Sequence, residues 1–525
     1  MKKTLLFLSL MIIGIFCSQN AISQDIKIIE GAEIKSKMGI MKIVGEFDNQ
    51  LVTVFYGKKK FYLRSYNRKL EVSSMTEIPM TYKKNQMAYA TVIKLKNRLF
   101  VITIFNNKKS KKTYLLYHEV NPKTLEFNDD IKILGEIPFK SRYDKGDFSI
   151  VYSQNHKHIL IYHLLPYNKG GKQKMAFSVL DSNLQKVWDK KITLPYADKL
   201  FKIVDYEIDD EGNVYVIGKQ YKGKAKDIIN NQINFNFIIL GYFDQGDEER
   251  EYQLKEKDKY ITDLRLAIDN KLNLICAGFY SGNKSYGAAG GSFLLKIEYE
   301  SGEMTTSEYH KFDLEFITSL HSERKKAKAQ KKASKKKAKG KEVELVNMDL
   351  RRLLLRDDGG VIMVGEQNYY TVHTYYNAST KSYTTTYHYY YNNIVIVNYN
   401  SDGSIKWKRL VPKRQSQTNS SYYLSFVPAI FQDKVFFVYN DNIKNSTIKK
   451  ENEYVGYVPN YKKSELVAYR VDGDGETDRI PLFNTLKSKI IPVPRQSRQL
   501  DESGALIIFS KSRKIQRLYR IEFSE

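Results

Sequence analysis

One unit recurs along the chain and constrains it more than any other feature. It reads as a strand, a tight polar turn, a very apolar strand, a variable loop, a third apolar strand and a second polar turn. The first turn is Phe47-Asp48-Asn49-Gln50, ahead of Leu51-Val52-Thr53-Val54. It returns at 96–98, 154–158, 209–213, 269–271, 357–360, 432–434 and 501–504, eight copies in all. The second turn recurs seven times, at Asn67, Asn121-Pro122, Asp181-Ser182-Asn183, Asp244-Gln245-Gly246, Ser301-Gly302, Asp402-Gly403 and Asp472-Gly473-Asp474-Gly475. Asn, Asp and Gly accept the positive φ of a tight hairpin, which is why they punctuate the pattern. The eighth unit runs out of chain after Leu518-Tyr519-Arg520-Ile521-Glu522-Phe523, so its last strand must come from elsewhere. Asp25-Ile26-Lys27-Ile28-Ile29 belongs to no other unit, and the pattern predicts that it completes the eighth sheet.

Four-stranded units repeated around a ring are a β-propeller. The chain resembles β-propellers of secreted bacterial proteins. The match is best over Asp358-Gly359-Gly360-Val361-Ile362-Met363-Val364-Gly365, and over Asn393-Ile394-Val395-Ile396-Val397-Asn398-Tyr399-Asn400-Ser401-Asp402-Gly403-Ser404-Ile405-Lys406-Trp407. The resemblance implies an all-β fold of eight four-stranded blades closed by the N-terminal strand. Seven blades are the alternative, if the first or eighth unit is degenerate. It implies no single function.

Lys2 and Lys3 ahead of the apolar run Leu5 to Phe16, and then Ala21-Ile22-Ser23, read as a secretory signal peptide over residues 1–23. Residues 24–525 are then one propeller domain, exported to the periplasm or cell surface. No later stretch is apolar enough to span a bilayer. Cleavage takes Cys17 and leaves Cys276, so no intramolecular disulfide can brace the exported chain. Cys276 lies in an apolar run without a His or Asp cluster and reads as a small buried hydrophobe.

The long loops fall on one side of the repeat. Successive turns of a meander alternate between the two faces of the disc. The short first and third turns share one face, and the second connection and the inter-blade link share the other. All long insertions are of the latter kind: 220–235, 281–291, 321–341, 368–392 and 442–464. Loops on a rigid scaffold are where binding is expected.

Two insertions stand out. The net charge is +26, or +24 once residues 1–23 are removed, and the Lys-rich insertion 321–342 carries much of it. Arg324 to Lys341 holds eleven cations and no anion: Lys325, Lys326, Lys328, Lys331, Lys332, Lys335, Lys336, Lys337, Lys339, Lys341 and Arg324 itself. Ala spacing allows a transient helix, but no apolar stripe would hold it down. The stretch reads as a solvated link between the fifth and sixth units or as an electrostatic tether for an anionic polymer. The Tyr-rich insertion 368–392 holds nine of the 40 tyrosines, and reads either as a hairpin folded over the disc with its rings packed on neighbouring loops or as a binding surface. Thr alternates with Tyr on both sides of Asn377-Ala378-Ser379-Thr380, which predicts a β-hairpin. Tyr375, Tyr376, Tyr387 and Tyr389 are its binding candidates, because a ring with a polar tip stacks on sugars or on a protein partner.

Catalytic and metal motifs are sparse. Asp472, Asp474, Glu476 and Asp478 alternate as calcium ligands do, but the loop lacks the glycine at Thr477 and the later bidentate Glu, so an ordinary turn is expected. His156 and His158 share a turn, and His373 and His388 share the hairpin. No nucleophile elbow, phosphate loop or dinucleotide fingerprint is present, and no cofactor is implied. Trp188 and Trp407 hold matching places in fourth strands and read as core. The sequence therefore points to a monomeric, non-catalytic binding propeller for an envelope protein or an anionic polysaccharide. A polysaccharide hydrolase or lyase using inner-strand acids such as Asp205, Glu207 and Asp263 is the alternative. A nucleic-acid partner is permitted by charge but opposed by the leader.

Overall fold

The computed structural model describes residues 26–139, 146–165, 170–447 and 455–524. The signal-peptide reading of 1–23, with Cys17, lies outside the described residues. Apolar and β-branched runs separated by Asx-Gly turns give antiparallel meanders throughout. Among the described residues, sheets of four or more strands cover 39–77, 88–138, 149–197, 201–254, 260–311, 348–411, 427–484 and 491–523. They are called sheets one to eight in that order. The outer strand of sheet eight is Ile26–Glu30, paired antiparallel with Ile515–Phe523, Ile26 opposite Phe523 and Glu30 opposite Tyr519. The predicted completion of the last sheet by the first strand is what the pairing shows.

First strands touch the first strands of the next sheet, as Tyr260–Ile268 does Met348–Leu355, while fourth strands such as Val72–Glu77 and Phe127–Pro138 are largely exposed, so the meanders run from the inside to an outer edge. The second strands are buried on both faces, as Gln50–Gly57 and Leu274–Ser281 illustrate. The core is therefore divided into layers between successive sheets. Val54 and Leu63 of sheet one pack against Val92 and Val101 of sheet two. Equivalent clusters lie between every following pair. One more joins sheet eight to sheet one, through Ile507 and Phe509 against Ile40 and Phe55. Burying side chains at about 25 cal/mol per Å² in each of these layers stabilises the molecule without a disulfide. Cys276 is fully buried among them, and burial pushes its thiol up to about 12.

The turns are built from their own side chains. Asp209 Oδ1 accepts from the backbone N–H of Glu211 and of Asn213, and Asp269 Oδ1 does the same for Lys271 and Asn273. Gly212 holds φ +88 in the first of these turns, a left-handed conformation that glycine adopts without strain. The two tryptophans bridge neighbouring sheets. Trp188 Nε1–H donates to Gly212 O at 3.1 Å, and Trp407 Nε1–H to Gly473 O at 3.0 Å. Their matched positions carry a matched bond, and both rings are buried.

Inner strands share a further device that the repeat does not reveal. A β-bulge falls near the start of the first strand in sheets one, four, five and six, between Ile40 and Lys42, Ile203 and Asp205, Ile261 and Asp263, and Leu350 and Arg352. A bulge re-aims the residue that follows it. Here that residue is charged each time.

Candidate functional site

The long insertions form one continuous belt. Ile233 N donates to Lys284 O at 2.9 Å, tying the insertion of sheet four to that of sheet five. Ala288-Ala289 pair with Leu345-Val346 in the link between sheets five and six. That link reaches the base of the Tyr-rich hairpin, where Asn368 N donates to Asn347 O at 2.9 Å. The hairpin in turn takes on Gln415–Thr418 as a fifth strand, Tyr391 opposite Gln415 and His388 opposite Thr418. Tyr423 stacks on Tyr461, with ring centroids 5.9 Å apart, and so joins the insertion of sheet seven. The expected one-sided elaboration is what the contacts show.

The hairpin consists of Val361–Asn377 and Ser382–Tyr399, long strands that leave the core after Glu366. Cross-strand register sorts its side chains. Tyr376 faces Tyr383, Thr374 faces Thr385, Val372 faces Tyr387 and Tyr370 faces Tyr389, all on one surface. The relative exposures are 61% for Tyr370, 56% for Tyr376, 74% for Tyr383 and 42% for Tyr387, so this surface is an open aromatic ladder. At the ~3.4 Å strand rise the six steps from Tyr370 to Tyr376 span about 20 Å. Tyr389, at its foot, is half-buried against Leu424 and Ile491. Tyr375 projects from the opposite surface beside His373, with Tyr369 stacked on Tyr390 lower down. The candidates thus divide: Tyr376 and Tyr387 share the ladder, Tyr375 faces away from it, and Tyr389 anchors it.

The Lys-rich stretch forms a helix. A short helix α1, Leu314–Thr318, is capped by Asp313, whose side chain accepts from Phe316 N. Helix α2, Glu323–Lys337, follows and lies over α1. Lys325, Lys326, Lys328, Lys331, Lys332, Lys335, Lys336 and Lys337 all belong to α2, and none of its residues is buried. The expectation of a solvated link is modified here. Alanines at 327, 329 and 333 supply helix propensity. Lys326 pairs with Glu323, and Lys336 Nζ donates to Glu342 O, both at 2.9 Å. Gln330 and Ala333 cover a cavity of about 410 Å³ above Leu314 and Ile317.

The centre, where first strands face one another, is the second cluster of polar groups. Asp205 Oδ2 accepts from Arg265 Nη1 at 3.1 Å, and Asp263 Oδ2 accepts from Leu350 N at 2.7 Å. Both carboxylates therefore stitch their own sheet to the next. Burial raises Asp263 to about 6. Burial and the adjacent Asp205 raise Glu207 to about 7, against the opposing pull of Arg265. Lys42 Nζ donates to Val92 O at 2.8 Å, and burial with the Arg498 charge lowers it to about 8. Of these, Asp205, Glu207 and Asp263 are readable as inner-strand acids. Lys42, Arg352 and Arg498 are missed by sequence reasoning, because the bulges that precede Lys42 and Arg352 have no mark in the local sequence and Arg498 lies in a two-residue strand.

The remaining candidates are occupied in local structure. Asp472 Oδ1 accepts from the N–H groups of Asp474 and Glu476, while Asp474 pairs with Lys406 and Asp478 with Arg470. This is the ordinary turn expected. Among the described residues no group of three or more His, Cys, Asp or Glu is placed to hold a metal. His373 and His388 do meet across the hairpin, ring centroids 5.1 Å apart and perpendicular. No helix among the described residues is long and apolar enough to cross a membrane.

Repeated four-stranded meanders, inner strand to outer edge, with loops gathered on one face, are those of a β-propeller. No family model matches the chain, and no curated protein matches it. Solved structures similar to it include the WD40 domain of SCAP from fission yeast, at 10% identity and a TM-score of 0.38, covering 95% of this chain and 98% of that one. The β-propeller domain of the Trilobed protease from Pyrococcus furiosus matches at 10% identity and TM-score 0.34, over 86% and 98% of the two chains. An α-L-arabinanase of Penicillium chrysogenum matches at 10% and 0.32, over 65% and 93%. Likenesses this distant carry no argument about this chain, and the propeller assignment rests on its own strand pairings.

Proposed function

We propose that the chain is an exported, eight-bladed β-propeller that binds an anionic polysaccharide of the cell envelope on its long-loop face, without catalysis. The eight sheets, the clusters between every successive pair and the pairing of Ile26–Glu30 with the last strand support a closed disc. The leader read in residues 1–23 supports export. The observation that carries the binding reading is the open ladder of Tyr370, Tyr376, Tyr383 and Tyr387, on a hairpin whose base is bonded to the same inter-sheet link that carries the eleven cations of 324–341. Tyrosine faces stack on the apolar faces of sugars. The lysines attract carboxylate or phosphate groups along the polymer, an attraction that salt screens beyond about 10 Å.

The test is binding of the wild type, a deletion of 321–342 and a Tyr376→Ser/Tyr383→Ser double variant to a panel of anionic and neutral envelope polysaccharides at low and high salt. Salt-sensitive binding that the deletion weakens, and that the tyrosine variant weakens at any salt, supports the reading. Binding of no polymer by the wild type refutes it and turns the search to a protein partner of the hairpin.

A second reading, hydrolysis of a polysaccharide at the centre, has one observation in its favour. Asp205 and Glu207 lie two apart on one strand and so on one face of it, and the Asp205 charge helps raise Glu207, which makes them an interacting acid pair. Asp205 is already engaged by Arg265 and by Tyr206 N, which ranks this reading second. Release of reducing ends from the same panel, lost in Glu207→Gln, would decide for it.

A further inference from the structure

We infer that the centre of the molecule, where the first strands converge, is a binding site for a small oxyanion, a carboxylate or a phosphate ester, held on Arg352. This goes beyond the polymer-binding face and does not rest on it. Four first strands place a charged residue just past a bulge: Lys42, Asp205, Asp263 and Arg352. Three of them spend their charge on the next sheet, Lys42 on Val92 O, Asp205 on Arg265 and Asp263 on Leu350 N. Arg352 breaks the series. The first strand of the next sheet, Val427–Phe431, presents only apolar side chains, and Arg352 has no hydrogen bond or ion pair among the described residues. Its side chain is exposed, and the charges acting on it are those of other arginines: Arg265, Arg351 and Arg498.

The anions of the neighbourhood are taken. Asp205 holds Arg265 at 3.1 Å, Asp349 holds Arg351 at 2.8 Å and Asp501 holds Arg498 at 2.7 Å. Glu207, raised to about 7 by burial and Asp205, neutralises little. Space adjoins the cluster. A cavity of about 730 Å³ is lined by Glu207 and by Leu353 to Leu355, the residues that follow Arg352. A second, of about 490 Å³, is lined by Lys42 and Arg498. The two share Tyr152, Asn155 and Lys157 as walls. Both cavities are walled by neighbours of Arg352 rather than by Arg352 itself, so they are open space beside its guanidinium. An unpaired guanidinium presents a planar fork that meets a carboxylate or phosphate with two parallel bonds.

Isothermal titration of the full-length protein with galacturonate, glucose 1-phosphate, inorganic phosphate and glucose tests the inference. Binding of one or more oxyanions, no binding of glucose, and a tenfold or greater loss in Arg352→Gln support it. Arg352→Lys is expected to recover part of that loss. Galacturonate alone identifies a sugar acid as the source, and glucose 1-phosphate or inorganic phosphate identifies a phosphate. The deletion of 321–342 keeps this binding, which separates it from the polymer reading. Because the Arg352 side chain makes no hydrogen bond or ion pair among the described residues, Arg352→Gln is expected to keep the wild-type melting temperature, which the same preparation checks before titration. Wild-type protein that binds none of the oxyanions, or Arg352→Gln that binds them as tightly as wild type, overturns it.

Discussion

Replacing Glu366 by glutamine strands a buried ammonium. Lys413 Nζ and Glu366 Oε1 are 2.8 Å apart at the foot of the Tyr-rich hairpin, and both side chains have no exposed surface. Glu366 Oε2 also takes Arg351 at 2.8 Å and Ser425 Oγ–H at 2.8 Å, so one carboxylate ties sheet six to sheet seven. Among the described residues Lys413 has only Tyr391 O and Gln415 Oε1 besides. Breaking a buried pair from one side costs about 3–5 kcal/mol. Unfolding entropy of about 2.1 cal/mol/K per residue gives about 1.1 kcal/mol per degree for 525 residues. Glu366→Gln is therefore expected to melt about 3–5 °C below wild type at pH 7. The pH dependence has a definite sign. Burial lowers Lys413, with Glu366 opposing. A lysine lowered in the folded state binds more protons unfolded, so stability rises with pH up to the unfolded value near 10.4. Without Glu366 the lysine falls further, so the deficit of the variant shrinks as pH climbs from 7 to 10. Scanning fluorimetry across that range reads it. A deficit below 1 °C, or one unchanged by pH, would refute the reasoning. The double variant Glu366→Gln/Lys413→Met is expected to recover much of the loss.

Other outcomes follow from single contacts. Trp188→Phe and Trp407→Phe each remove one indole bond to a backbone carbonyl of the next sheet and cost about 1–2 kcal/mol, read by urea denaturation. Glu207, raised to about 7, lowers stability as pH rises from its usual carboxylate range through 7, and Glu207→Gln flattens that limb of the stability profile. A methyl on Gly278 would sit 2.1 Å from Asp263 O, so Gly278→Ala disrupts the inner edge of sheet five and lowers soluble yield. Gly282→Ala, with nothing nearer than 3.8 Å, leaves yield unchanged.

Local chemistry made the repeat legible. The aspartates at 209 and 269 close their turns with their own oxygens, so a short window of sequence contains the whole cause. The pairing of Ile26–Glu30 was legible by a different route, since an eighth unit lacking a strand needs one from outside. The Tyr-rich hairpin was legible from Tyr-Thr alternation, but which tyrosines share a surface depends on register, and a bulge after Glu366 sets that register. The Lys-rich stretch looked solvated because its own residues hold no apolar stripe, and the surface it lies over is supplied by α1. The bulges at the inner strands left no local mark. They answer to neighbouring sheets, and so the isolation of Arg352 is visible only once Val427–Phe431 stands beside it. The pair of Glu366 and Lys413, 47 residues apart, was hidden for the same reason.

The pairing of residues 26–30 with 519–523 has a kinetic meaning. The first strand to be made has no partner until the last one follows. Closing a loop of this length costs about 5 kcal/mol in chain entropy, and nothing repays it until the outer strand of sheet eight docks. The assembly therefore finishes late and in one step, and until then each layered core beside the gap is open to water. A chain so arranged stays slack while it is being made and becomes rigid only after its two ends have met.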